Sequence, residues 1–100
     1  MSCNYYYKFF GNLANPIKIK IINELKMKSL TVSELTTKTN EEQSKISHSL
    51  ANLRACSIVE VKKDGKNRIY SLNKKTILPI LKILNKHKTR YCKGECVSVK

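Results

Sequence analysis

The sequence is short of acidic residues, glycine and long apolar runs, and each shortage excludes a class of protein. Its seven carboxylates are scattered along 100 residues, which excludes two-carboxylate catalysis and a Mg²⁺ site. Three glycines leave no glycine-rich phosphate loop. No apolar run is long enough to span a bilayer, and the first ten residues lack the basic start and apolar core of a secretion signal. The sequence therefore predicts a cytoplasmic, non-enzymatic protein with no membrane partner, cofactor or small-molecule substrate.

Basic residues dominate the charge instead. Lysine and arginine number 20, which gives a net charge of +13 and a pI near 9.8. Such a balance suits a polyanion, whether DNA, RNA or an anionic membrane surface. Residues 1–100 predict one domain with a modest core, and pairing with a second copy would increase the apolar area that it buries.

The most informative segment is Asn40–Val59, in which a helix is predicted to run to about Ala55. Ile46, Leu50 and Leu53 have the spacing of one buried helical face. The opposite face is short, polar and without carboxylates, so it can approach another surface closely, and a DNA major groove is wide enough to admit it. An ordinary amphipathic helix is the alternative. The exposed face comprises Ser44, Ser47, His48 and Ala51, with Lys45 and Asn52 at its edges.

Helix-start signals organise the chain before this segment. Asn15-Pro16 predicts a helix over 16–27, because a capping residue precedes proline in the first turn. Thr31 and Glu34 form a capping box that predicts a helix over 32–38. Together with the next helix this makes a helix-turn-helix over 31–56. An aromatic helix over 4–14, with Tyr6, Phe9, Phe10 and Leu13 on one face, either covers the core or forms half of a dimer seam.

Residues 58–72 predict a β-hairpin. Two alternating segments, 58–63 and 68–72, flank Asp64-Gly65, a strong short-range hairpin signal. The tip is either a solvated basic turn or a wing that grips phosphates or the minor groove. Its cations are Lys62, Lys63, Lys66 and Arg68.

A last helix is predicted over 74–90, capped by Asn73 and followed by a basic tail over 91–100. Pro79 belongs in its first turn or at a kink, because proline removes a helical hydrogen bond. The helix is apolar around much of its girth, which indicates packing on its own domain and on a second subunit. The predicted dimer contacts are Tyr6, Phe9, Leu81 and Leu84.

Residues 10–72 resemble the ArsR-like winged-helix repressors. The segments that carry the resemblance are GNLANPIKIKIINEL, LTVSEL and SKISHSLANLRACSIVEVKKDGKNRIYSL, in that order. The resemblance implies a mainly α fold with a small β-hairpin (α+β), dimerisation through the first and last helices, and a sequence-specific duplex-DNA-binding regulator, usually a repressor. A winged-helix module for protein or RNA is the alternative. Carried over by position, the base- and phosphate-facing residues are Gln43, Ser44, Lys45, Ser47 and His48, with Lys66 and Arg68 in the wing.

The chain departs from this family's pattern at three places. The last helix lacks the paired acidic and histidine ligands that relatives use for zinc, and its only histidine is His87. Thr31-Val32-Ser33 stands where metal-sensing relatives have Cys-Val-Cys, so that thiolate metal site is absent. Ser57 stands where a glycine usually follows the recognition helix.

The cysteines leave alternatives open. Cys56 is predicted to be a small buried apolar residue. Cys3, Cys92 and Cys96 lie outside the terminal helices, where they are free thiols, a disulfide within the tail or between subunits, or a metal site. We expect thiols or a disulfide rather than a metal, because His87 is the one imidazole near them.

Overall fold

The computed structural model describes residues 3–92, and the side chains of residues 5–91. The helices are α1 (Cys3–Leu13), α2 (Pro16–Met27), α3 (Val32–Thr39), α4 (Gln43–Ala55) and α5 (Ile77–His87), and a π-helical turn (Lys88–Cys92) follows α5. The strands are β1 (Leu30–Thr31), β2 (Val59–Asp64) and β3 (Asn67–Leu72).

Helix α2 begins where the Asn15-Pro16 signal predicted. The Asn15 side chain accepts a hydrogen bond from the Lys18 amide (3.0 Å), which satisfies one of the unpaired amides of the first turn. The alternating isoleucines that follow could also have formed a strand. They form a helix in which Ile21, Ile22 and Leu25 are fully buried.

The core lies between α2, α3, α4 and the sheet. Its members are almost completely buried, and most are branched aliphatic residues that pack at high density. They include Ile21, Ile22, Leu25, Leu30, Leu35, Ile46, Leu50, Leu53, Ile58, Leu72 and Ile77.

The sheet has three strands rather than the predicted hairpin alone. Its order is β1-β3-β2, all antiparallel, with Leu30 opposite Tyr70 and Val59 opposite Leu72. Strand β1 was not predicted from the sequence, because a segment of two residues is too short to show alternation. Burial of Leu30 against the core holds this segment beside β3.

The last helix corrects the predicted bounds of 74–90. Helix α5 begins at Ile77, and Asn73 is not its cap. The Asn73 side chain instead accepts a hydrogen bond from the Lys75 amide (3.2 Å) and donates one to the Ser57 carbonyl (3.0 Å). Asn73 therefore closes the end of the hairpin, and its own carbonyl accepts from the Ile77 amide. Pro79 lies in the first turn, as predicted, where its missing amide costs no helical bond.

The aromatic face predicted for α1 is divided in the structure. Phe9 and Leu13 pack against the core, whereas Tyr6 and Phe10 are 62% and 58% exposed. The inward position between Phe9 and Leu13 is occupied by Asn12, which is buried. Helix α1 therefore covers the core with one edge only.

Candidate nucleic-acid interface

Helix α4 presents its predicted polar face to solvent. Ile46, Leu50 and Leu53 are at most 1% exposed and fix the helix to the core. The residues carried over as DNA-facing are all exposed: Gln43, Ser44, Lys45, Ser47 and His48. Because the buried stripe fixes the rotation of the helix, these five side chains share the outward surface. No carboxylate lies within α4 itself.

The turn before α4 begins at Asn40, the residue after α3, whose backbone is in the left-handed conformation. Asn40 has φ of 58°, which asparagine tolerates better than most residues, and its amide donates to the Thr36 carbonyl. Helix α3 is secured at its other end by the predicted capping box: the Thr31 hydroxyl accepts from the Glu34 amide (3.2 Å), and the Glu34 carboxylate from the Thr31 amide (2.9 Å). Both ends of α3 are therefore defined, which sets the angle at which α4 is held.

Two acidic residues stand at the start of α4 and behave differently. Glu41 accepts a hydrogen bond from the Lys20 ammonium (2.7 Å), and this contact holds the pKa of the Glu41 carboxyl below its usual range. The ion pair joins α2 to the turn. Glu42 occupies the N-cap position of α4 but its side chain makes no capping bond, and it is exposed. The ion pair could not be predicted from the sequence, because residues 20 and 41 are far apart in the chain.

The other end of α4 uses a strained serine. Ser57 has φ of 59°; its amide donates to the Arg54 carbonyl (2.9 Å), and the Ile58 amide donates to the Leu53 carbonyl (2.9 Å). These two bonds form a Schellman motif, in which glycine is the usual residue at the left-handed position. Serine carries a Cβ that opposes this conformation. The missing glycine noted in the sequence is therefore a real source of strain, although the turn forms.

The hairpin tip is a two-residue turn, Gly65-Lys66, between the paired residues Asp64 and Asn67. Gly65 has φ of +66°, and glycine at the first central position is typical of a hairpin turn. All four predicted wing cations are exposed, but they do not share one face. Lys63 is paired with Arg68 on the sheet face that carries Val59 and Tyr70 towards the core, and Lys62 lies on the opposite face.

The basic side chains of the wing form no ion pair with another described side chain. Among the described side chains, residues 5–91, Lys20–Glu41 is the one ion pair. Lys63 and Arg68 stand directly opposite each other, and like charges in that position destabilise a hairpin. A basic wing without intramolecular partners, beside a helix with a short polar face, can accept a polyanion.

The predicted dimer residues occupy two environments. Tyr6 and Leu84 are exposed, whereas Phe9 and Leu81 are half-buried against their own core. The prediction omitted Phe10 and Ile83, which are 58% and 66% exposed. These two residues therefore offer more uncovered apolar surface than Phe9 and Leu81.

Cys56 is the cysteine whose side chain lies within the described residues. Cys56 is a free, half-buried thiol whose Sγ accepts a hydrogen bond from the Asn12 side chain (3.2 Å), so it is less buried and more polar in its contacts than predicted. Cys3 begins α1 and Cys92 ends the π-helical turn, but their side chains and all of Cys96 lie outside the described residues. Within the part of the chain that the structure describes, no three His, Cys, Asp or Glu side chains gather as metal ligands.

No helix in residues 3–92 combines the length and apolarity that crossing a membrane would require.

Known proteins share both the sequence pattern and this arrangement. Residues 15–61 match the bacterial regulatory proteins of the arsR family. The transcriptional repressor PagR of Bacillus anthracis is 32% identical over 73% of this chain and 74% of PagR. The nodulation protein NolR of Rhizobium meliloti is 31% identical over 77% of this chain, which spans 63% of NolR. The crystal structure of Rv0081 of Mycobacterium tuberculosis superposes with a TM-score of 0.81 at 29% identity, over 91% of this chain and 92% of that one. The chain belongs to the arsR family of bacterial regulatory proteins.

Proposed function

We propose that this protein is a sequence-specific duplex-DNA-binding transcriptional regulator, a cytoplasmic repressor that acts as a homodimer. The observation that carries the proposal is the surface of α4, where five polar side chains without a carboxylate among them project beside a basic wing. A relative covered over 74% of its length is named a transcriptional repressor, which supports the same role here.

Helix α4 supplies the sequence-reading surface. The major groove is about 12 Å wide and admits a helix, and short side chains let the helix axis come close to the base edges. In this arrangement Ser44, Ser47 and His48 donate or accept hydrogen bonds at base edges. Gln43 and Lys45 lie at the amino end of α4, the end that contacts bases in helix-turn-helix proteins.

The wing supplies contacts to the DNA backbone. Lys66 lies at the tip, and Lys63 and Arg68 lie on the sheet face that also packs against the helices. Phosphate oxygens would relieve the repulsion between Lys63 and Arg68. Lys62, on the other face, has the weaker claim to this contact.

A dimer follows from the uncovered apolar side chains of the terminal helices. Tyr6 and Phe10 on α1, and Ile83 and Leu84 on α5, are between 49% and 66% exposed. A two-fold axis through these helices would bury them and present two copies of α4. Their separation on a palindromic site would be about 34 Å, one turn of DNA.

The test is selection of bound sites from a random duplex pool, followed by titration of the enriched duplex and of its single strands at two salt concentrations. We expect an inverted repeat, preference for duplex, and weaker binding at higher salt. Equal affinity for every duplex, or preference for single strands, would contradict the proposal and favour an RNA- or protein-interaction module instead.

A further inference from the structure

Helix α5 has a polar surface opposite the side that packs on the core. Ile77 is buried and Leu81 is half-buried, so these residues mark the side that faces the core. Leu84, seven residues after Ile77, continues this side beyond the core and is exposed, and Ile83, one position earlier, is exposed as well. Lys86 follows Ile77 by nine residues, which is two and a half turns, and therefore lies on the side opposite the core.

This opposite side carries a basic stripe, which we define as Lys82, Lys86 and Arg90. The three cations line one shallow surface groove together with Asn85 and Thr89, so their side chains border the same strip of solvent. All three are exposed, and none is in an ion pair with another described side chain. The sequence has no acidic residue between Asp64 and Glu95, so α5 itself offers the stripe no counter-charge.

The π-helical turn brings the third cation into line. In a continued α-helix Arg90 would lie about 80° around the axis from Lys82. Residues 88–92 are π-helical, and i→i+5 bonding rotates the chain less per residue. Arg90 consequently borders the same groove as Lys82 and Lys86. Such π turns are rare and occur frequently at functional sites.

We propose that the α5 basic stripe binds the phosphate backbone of a second DNA duplex, without sequence preference, while α4 holds the first. The choice of DNA as the partner rests on the proposed function. Lys82 and Lys86 are one helical turn apart, about 6 Å along the axis. Phosphates of one DNA strand follow one another at about 3.4 Å of duplex axis, so both lysines can contact phosphates of the same strand. Asn85 and Thr89 add neutral hydrogen-bond donors between the cations.

The experiment measures capture of a second duplex by the protein already bound to an immobilised duplex in excess. The fluorescent second duplex has a random sequence. We compare the full-length chain with the double variants Lys82→Gln/Lys86→Gln and Lys74→Gln/Lys75→Gln. The second pair is a matched control, because both variants lose two exposed lysines and have the same net charge.

We expect the wild-type chain and the Lys74→Gln/Lys75→Gln control to retain the fluorescent duplex and the Lys82→Gln/Lys86→Gln variant to lose most of it. The salt slope for the second duplex should fall by about two, since each phosphate contact contributes about 0.9. Affinity for the immobilised duplex should change less than about twofold.

Equal capture by all three proteins would overturn the inference, and so would equal loss in both double variants. Retention of acidic polyglutamate or single-stranded RNA in place of the duplex would overturn it too. The proposed function is judged separately, by whether the wild-type chain enriches a sequence from the random pool. The stripe test compares variants of equal charge and works with any duplex. Its result therefore does not depend on whether α4 binds a specific sequence, and either proposal can fail without the other.

Discussion

The helix-turn-helix and the terminal helices differ in how completely they use their apolar residues. In α2, α3 and α4 the inward aliphatic side chains are almost fully buried, and Met27 at the end of α2 is the one large apolar side chain of these helices that is exposed. In α1 and α5, by contrast, aromatic and aliphatic residues such as Phe10 and Ile83 remain more than half exposed. The central region therefore satisfies its own hydrophobic surface, whereas the terminal helices leave a surface that a partner can cover.

The largest effect should come from truncating the central core. Leu50→Ala removes a side chain that is 1% exposed, so we expect the free energy of unfolding to fall by about 3–5 kcal/mol, from lost burial and the cavity left behind. The matched change Leu84→Ala, at a residue 49% exposed, should cost much less in dilute protein, where it is monomeric. Denaturant melts of both variants measure the comparison, and equal losses would contradict it.

The next effect concerns assembly. Leu84→Asp should leave a folded monomer, because its side chain is half exposed there, but should weaken dimerisation by at least about 2 kcal/mol by placing a charge in an apolar seam. Operator affinity should fall with it. Sedimentation and operator titration measure the two outcomes. Met27→Asp, which adds the same charge at an apolar residue 81% exposed outside α1 and α5, is the control. A monomeric Leu84→Asp variant with full operator affinity would remove the dimer from the mechanism.

Within the proposed DNA surface, substitutions in α4 and in the wing should have different effects on DNA binding. Ser47→Ala and His48→Ala should each reduce discrimination between sites, a good base contact being worth about 1–3 kcal/mol. Lys66→Ala and Arg68→Ala should weaken binding to all sequences alike and lower the salt slope by about one each. Competition with mismatched sites distinguishes the two classes. Unchanged selectivity in the α4 variants, with altered selectivity in the wing variants, would reverse the assigned roles.

A smaller effect, this time a gain in stability, is expected at the end of α4. Ser57→Gly should raise the free energy of unfolding by about 1 kcal/mol, because glycine adopts positive φ without a Cβ clash. Asn40→Gly is the matched control with nearly the same φ, and it should gain less, since asparagine tolerates that conformation. Thermal melts compare them, and a loss of stability in Ser57→Gly would show that Ser57 is not strained.

The smallest effect is the pH dependence of the exposed Lys20–Glu41 pair. Its carboxyl has a lowered pKa because the Lys20 ammonium donates a hydrogen bond to it. The pair therefore stabilises the fold at pH above about 4.3, the ordinary glutamate value, and this contribution disappears as the pH falls through the lowered pKa. Urea melts of the wild-type chain and Glu41→Gln at neutral and acid pH should converge on acidification. A difference in the free energy of unfolding that grows towards acid pH would contradict the prediction.

Local signals in the sequence were sufficient for most helices. Asn15-Pro16 and the Thr31–Glu34 box act within three or four residues, so their hydrogen bonds could be predicted without knowing the rest of the fold. The buried stripe of α4 was equally predictable, because the period of a helix fixes which residues share a face. The same period identified the exposed positions now proposed to contact DNA.

Contacts between distant residues could not be predicted in this way. The Asn12 side chain reaches the Asn52 carbonyl and Cys56, 40 and 44 residues away, and joins α1 to the end of α4. Strand β1 exists because β3 is beside it, and Asn73 serves the hairpin end rather than a helix cap because Ser57 lies within reach. Each depends on where separate elements pack.

The sequence by itself determined the helix-turn-helix, the hairpin and the basic charge of this protein, because caps, turns and periodicity act over a few neighbouring residues. The tertiary structure decided which side chains remain uncovered. Tyr6 and Phe9 belong to one apolar helix, yet only Phe9 packs against the core, and Lys63 and Lys62 are neighbours in the wing but lie on opposite faces of the sheet. The physical reason is that burial and strand register depend on the position of the whole element relative to its neighbours, which no local pattern encodes.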